Sequence, residues 1–123
     1  LDAVDATKVR AVLDWEMSTL GDPLSDAALM CVYRHPMFDM VHSDAAWSSE
    51  KIPSMDALAQ KYAVAAGLSL DHWDFYLALA YFKLAIIAAG IDFRARMAAG
   101  GAGHDPVGEA VAPLIAAGLA VLS

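Results

Sequence analysis

The sequence predicts an α+β chain that is mostly helical: a short β-hairpin followed by about four helices. Two observations carry this reading. Before Trp15 two short apolar runs, the second with β-branched Val9 and Val12, are joined by the turn-prone Asp5-Ala6-Thr7. After Asp22 they recur every three or four positions in successive segments, each opened by a capping residue or a proline.

The hairpin is expected from Leu1 to Val4 and from Lys8 to Trp15, turned by Asp5-Ala6-Thr7. Two strands alone are marginally stable, so this pair must lie against helices or another part of a larger fold. In an extended strand Val12, Asp14 and Glu16 face one side and Leu13 and Trp15 the other. The two carboxylates then stand about 6–7 Å apart, and Leu13 and Trp15 anchor the core.

Asp22-Pro23 opens the first helix, with Asp22 as N-cap and Pro23 at a position that needs no amide donor. It should run to Tyr33 or Arg34, burying Leu24, Ala27, Ala28, Cys31 and Val32, and stop before Pro36. Asp26 is the odd residue on that stripe, either a buried carboxylate that needs hydrogen-bond donors or an exposed first-turn acid stabilised by the helix dipole. The stretch from His35 to Ile52 reads as a long apolar loop, either a lid or a segment pinned by satellite contacts. Ser54 caps a second helix that reaches Ala66 and stops at Gly67. Ser69 or Asp71 caps a long central helix ending near Met97, with Gly90 bending it or admitting a neighbour. Asp105 caps the last, Pro106 to Leu122, which Pro113 should kink or divide.

Composition narrows the partners. Hydrophobic residues are 59% of the 123, and the surplus, largely alanine, suggests a surface that another element covers. A formal charge of −7 argues against nucleic acid and anionic membranes, which call for clustered Lys and Arg. The nearest approach to a membrane span, Phe75 to Ile91, counts 17 residues with Lys83 near its centre, so a buried helix is expected. Cys31 in its apolar setting reads as a buried thiol, which suits a reducing cytoplasm. The four histidines lack the spacing of a helical metal site. Gly100-Gly101-Ala102-Gly103 precedes His-Asp-Pro and follows no strand, so it is a connection and not a phosphate loop.

The stretch V-L-D-W-E-M-S-T-L-G-D-P-L-S-D-A-A, within a matching block from Val9 to about Ala28, resembles the aminoglycoside-phosphotransferase-like kinases, in particular the branch fused to acyl-CoA dehydrogenases. Thinner similarity continues through Ile52-Pro53-Ser54 and the aromatic run Asp71 to Leu77. The resemblance implies the C-terminal part of the large lobe of a protein-kinase-like fold. Residues 1–16 would form the hairpin with the metal-site Asp, and 22–123 the helical subdomain. The nucleotide-binding lobe and the catalytic loop, H-G-D-x-x-x-x-N in the family, are absent from these residues. A start at Leu1 fits a piece of a longer protein whose catalytic base lies upstream.

By that resemblance the longer protein moves a phosphoryl group from ATP to a hydroxyl of a small molecule. Asp14 is then the ligand of the Mg²⁺ that accompanies ATP, since a hard cation prefers oxygen donors. Glu16 either reaches a second metal through water or makes a salt bridge. Asp22 and Asp26 support the site, Asp26 by accepting backbone N–H groups of the catalytic loop. The piece alone is expected to be inactive and to self-associate through an apolar face normally covered by the missing lobe. The rival expectation is a non-catalytic interaction or dimerisation module, and the acceptor is left open because one fold serves many acceptors.

Overall fold

The structure, a computed structural model, describes residues 2–5, 7–14, 16, 18–35, 47, 49–101 and 103–123. Its helices are α1 (Pro23–Val32), α2 (Met55–Ala66), α3 (Trp73–Ala98) and α4 (Val111–Val121), with a 3₁₀ helix (Pro106–Ala110) leading into α4. α3 is the centre: α1, α4 and the 3₁₀ helix all pack on it, and α2 packs on α1. Ala28 and Val32 of α1 meet Ala80, Tyr81, Leu84, Ala85 and Ala88 of α3 and Leu114 of α4 in one core.

The seam between α3 and α4 is close because its residues are small. A Cβ on buried Gly118 would lie 3.2 Å from Tyr81 Cβ and 3.4 Å from the Ala78 carbonyl oxygen. Around Gly90, by contrast, only the end of the Arg94 side chain approaches, so neither the expected close neighbour nor a break in the helix is found there.

Most caps match expectation. Asp22 Oδ1 accepts the Leu24 N–H at 3.0 Å, and Ser54 Oγ accepts the Ala57 N–H at 3.3 Å. Gly67 ends α2 in the left-handed region, where a missing Cβ removes the steric cost. The start of α3 is different. Its N-cap is His72, left-handed and without a side-chain cap bond, while Ser69 Oγ is taken up by the Asp71 N–H at 3.2 Å. Ser69 thus closes the turn before the helix, and His72, not Ser69 or Asp71, stands at the N-cap.

The last helical segment divides three residues before Pro113. Asp105 caps the 3₁₀ helix through the Val107 N–H, and α4 restarts at Val111. Pro113 thus falls in the first turn of α4, where an amide donor has no helical partner to lose. α3 is longer than the apolar run suggested. At 26 residues it is, among the described residues, long and apolar enough to cross a bilayer by length and composition. In this fold Tyr76 and Lys83 of that helix bond to α1 instead.

The expected hairpin is not present: residues 1–16 contain no strand among those described. Side chains close the segment on itself. Asp2 accepts the N–H groups of Val4 and Asp5 and pairs with Arg10 at 2.7 Å, while its own N–H donates to the Lys8 carbonyl. Asp5 takes Thr7 and Lys8. These Asx-type turns compete with a ladder that has no third strand to join. Leu13, expected in the core, is 81% exposed. Trp15 lies outside the described residues, as does most of the loop after His35.

Candidate functional site

The acidic residues singled out in the sequence sit on the segment entering α1 and on its first turn. Asp14 is exposed and left-handed, with φ of 72°. The chain therefore bends there and breaks the strand alternation that would have put Asp14 and Glu16 on one face. Aspartate bears this conformation better than most residues because its short polar side chain can bond locally. Glu16 is exposed as well. Among the described residues, no three His, Cys, Asp or Glu side chains gather closely enough to hold a metal. What Asp14 and Glu16 offer is one or two hard oxygen donors open to solvent. That donor set fits Mg²⁺, which commonly takes one or two protein carboxylates and fills its shell with water and phosphate.

Asp22 is bound at both oxygens. While Oδ1 caps α1, Oδ2 accepts the phenolic hydrogen of Tyr76 on α3. Donation to the carboxylate is the chief reason the Tyr76 phenol is held above its ordinary pKa, so it stays protonated at neutral pH. Two turns further along α3, Lys83 Nζ donates to Ser25 Oγ at 2.7 Å. Asp26 is exposed, so it is the first-turn acid and not the buried carboxylate. At about 100° per residue it points roughly 200° away from Leu24, off the buried face, and here it complements the helix dipole.

Behind α1 the apolar side is closed. Cys31 is buried and its Sγ lies 3.6 Å from the Met55 carbonyl, with burial and then Asp56 raising the thiol pKa. His35 meets the Tyr81 ring edge-on at 5.7 Å.

A second polar cluster joins the far end of α3 to the 3₁₀ helix. Asp92 accepts the Asp105 N–H at 3.0 Å, His104 Nδ1 at 2.9 Å and Arg96 Nε at 2.7 Å. His104 Nε2 lies 3.3 Å from Glu109. The sequence did not single this cluster out; the signals present were the i,i+4 spacing of Asp92 and Arg96 and the cap residue beside His104. Tyr76 and Lys83 were likewise unmarked, although their seven-residue spacing puts them on one face of α3.

Residues 1–79 match the model of the phosphotransferase enzyme family, so the match spans the acidic segment, Tyr76 and the first turns of α3. The chain belongs to that family. It is 45% identical over 89 residues to acyl-CoA dehydrogenase family member 11 of Pongo abelii, covering 68% of this chain and 11% of that protein. Acyl-CoA dehydrogenase family member 10 of Mus musculus is 35% identical over 92 residues, 71% of this chain and 9% of the relative. A probable acyl-CoA dehydrogenase of Arabidopsis thaliana, IBR3, is 30% identical over 105 residues, 79% and 13% respectively. The chain thus spans about a tenth of the curated relatives it matches, and their names agree with the branch indicated by the acidic motif. No solved structure matches it.

Proposed function

We propose that this chain is the C-terminal part of the large lobe of an ATP-dependent phosphotransferase that acts on a hydroxyl of a small molecule. Within a longer protein, Asp14 and Glu16 hold Mg²⁺, and Asp22 and Asp26 support the segment that carries them. The observation that supports this best is Asp14 itself. It is an exposed carboxylate in a backbone conformation that costs energy, inside the part of the chain that matches the family, and such outliers concentrate at functional sites. Bound by these residues, Mg²⁺ supplies charge neutralisation at the transferring phosphate. The chain's own share is to present the carboxylates and to hold the acidic segment against the helical layer. Asp26, exposed on the first turn of α1, is free to accept N–H groups of a catalytic loop contributed by residues upstream, as is the base that deprotonates the acceptor. The reading places the protein in the cytoplasm, with Cys31 reduced, and leaves nucleic acid and membranes out of its partners.

The test is conversion of ATP to ADP by the longer protein with a panel of hydroxyl-bearing acceptors, with and without Mg²⁺. Acceptor-dependent turnover that Asp14→Asn abolishes supports the assignment, and unchanged turnover in that variant overturns it. A non-catalytic interaction module is the second reading, favoured by the apolar side chains α3 exposes. Absence of nucleotide binding in the longer protein, together with a substituted base in the sequence upstream, would decide for it.

A further inference from the structure

The acidic segment runs between two residues that stand out in the structure. At one end stands Asp14 with its left-handed backbone, and at the other Asp22, whose carboxylate is shared between α1 and α3. Between them the described residues 18–21 are exposed, and Gly21 has open space where a Cβ would stand. We infer that Tyr76 is the positioning residue of this segment: through Asp22 it fixes the downstream end against α3 and so sets where Asp14 meets a divalent cation. The inference rests on the reading of Asp14 as a metal ligand.

Three features support the role. The Tyr76 ring is half-buried against the core and stands edge-on to Phe75 at 5.5 Å, so packing determines where its hydroxyl lies. Both Asp22 oxygens accept a hydrogen bond, one from α1 and one from α3, so the carboxylate is held from two sides and serves as an anchor. Lys83, another α3 side chain bonded to this region, reaches Ser25 inside α1 and, among the described residues, makes no bond to the acidic segment. The two contacts can therefore be told apart: losing Lys83 loosens the α1–α3 seam, while losing the Tyr76 hydroxyl releases the segment itself.

Mn²⁺ serves as the probe, titrated by water-proton relaxation into the longer protein with and without ATP. Asp14→Asn is expected to remove the ATP-dependent Mn²⁺ site. Tyr76→Phe should weaken that site up to about fivefold, the most that one hydrogen bond can transmit, while metal-free ATP affinity stays near that of the wild type and stability falls less than in Asp22→Ala. Asp22→Asn, which keeps a capping oxygen but replaces the oxygen that accepts from the phenol with an amide NH2, should shift the site the same way, and it serves if Tyr76→Phe does not fold. Lys83→Met should leave Mn²⁺ affinity unchanged. If Asp14→Asn removes the site and Tyr76→Phe binds Mn²⁺ like the wild type, the positioning role is wrong and the ligand assignment stands. If Lys83→Met weakens the site as much as Tyr76→Phe, the effect is general loosening and the role is again wrong. An intact site in Asp14→Asn overturns both.

Discussion

Tyr76 on α3 donates its phenolic hydrogen to Asp22, 54 residues earlier, while the other oxygen of that carboxylate caps α1. One side chain therefore serves both a helix start and a tertiary contact, and the two can be separated by mutation. Asp22→Ala removes both and should cost about 1 kcal/mol or somewhat more, the usual weight of an N-cap. Tyr76→Phe keeps the ring and the cap and should cost less. Urea denaturation of the isolated chain checks the order, and a larger loss in Tyr76→Phe would mean that the hydroxyl has another partner.

Asp26 gives a prediction that differs between contexts. In the isolated chain it is exposed, so Asp26→Ala should stay within about 0.5 kcal/mol of the wild type. In the longer protein, if it accepts the N–H groups of a catalytic loop, the same change should cost about 1–3 kcal/mol and lower activity, because buried donors lose their acceptor. Equal effects in the two contexts would remove Asp26 from the active-site support. Asp14→Asn should change stability little in either, since asparagine also tolerates the left-handed backbone.

Two glycines should respond oppositely to added side chains. Gly90 lies inside α3 with room around it, so Gly90→Ala should stabilise the chain by about 0.5–1 kcal/mol through helix propensity. Gly118→Leu pushes into the Ala78 and Tyr81 seam and should cost about 1–3 kcal/mol. Chemical denaturation of both variants reads the contrast, and a neutral Gly118→Leu would mean that α4 can move away from α3 at little cost.

His104 makes the docking of the 3₁₀ helix on α3 depend on pH. Its bonds to Glu109 and then Asp92 raise its pKa above the ordinary value, so the stability it adds is complete below about pH 6.5 and is lost as pH rises through the higher folded value. Asp92 is held below its ordinary value, chiefly by the Asp105 N–H, with Arg96 and His104 adding to it, so its contribution is present above about pH 4 and lost on further acidification. Denaturation midpoints should therefore fall between about pH 6 and pH 8 in the wild type and less in His104→Asn. An NMR titration placing His104 at or below its ordinary pKa would refute this.

How much of this could be read in advance follows from how local each signal was. The helices were legible because caps and periodicity are short-range: Asp22-Pro23, Ser54 and Gly67 each act within one turn. The β-prone run before Trp15 was misleading because strand formation needs a neighbouring strand, and without one Asp2 and Asp5 turned the chain back on itself. The acidic segment was recognisable from its motif, but the Asp22–Tyr76 and Asp92–His104 contacts depend on how α3 sits against its neighbours, which no local pattern specifies. Asp26 was misassigned to the buried stripe because its small neighbours Ala27 and Ala28 are buried and it is not.

The last prediction concerns the outer side of α3. Phe75, Phe82, Ile86, Phe93 and Met97 are each more than half exposed, and their spacings of seven, four, seven and four residues keep them within about 60° of one another around the helix. A stripe with this spacing is the pattern that packs side chains of one helix between those of another. Beside it, Phe82 also borders an apolar groove of 280 Å³ lined by Leu114, Leu119 and Leu122 of the α4 side. Leaving so much contiguous apolar surface in water is unfavourable, and apolar patches beyond a few hundred Å² commonly mark association sites. The isolated chain should therefore sediment as a dimer or larger assembly. Ile86→Glu with Phe93→Glu should return it to a monomer without unfolding it, because both side chains already point to solvent. A wild-type chain that sediments as a monomer across the micromolar range would show that this stripe does not drive self-association, and an assembly that survives both substitutions would place the contact elsewhere.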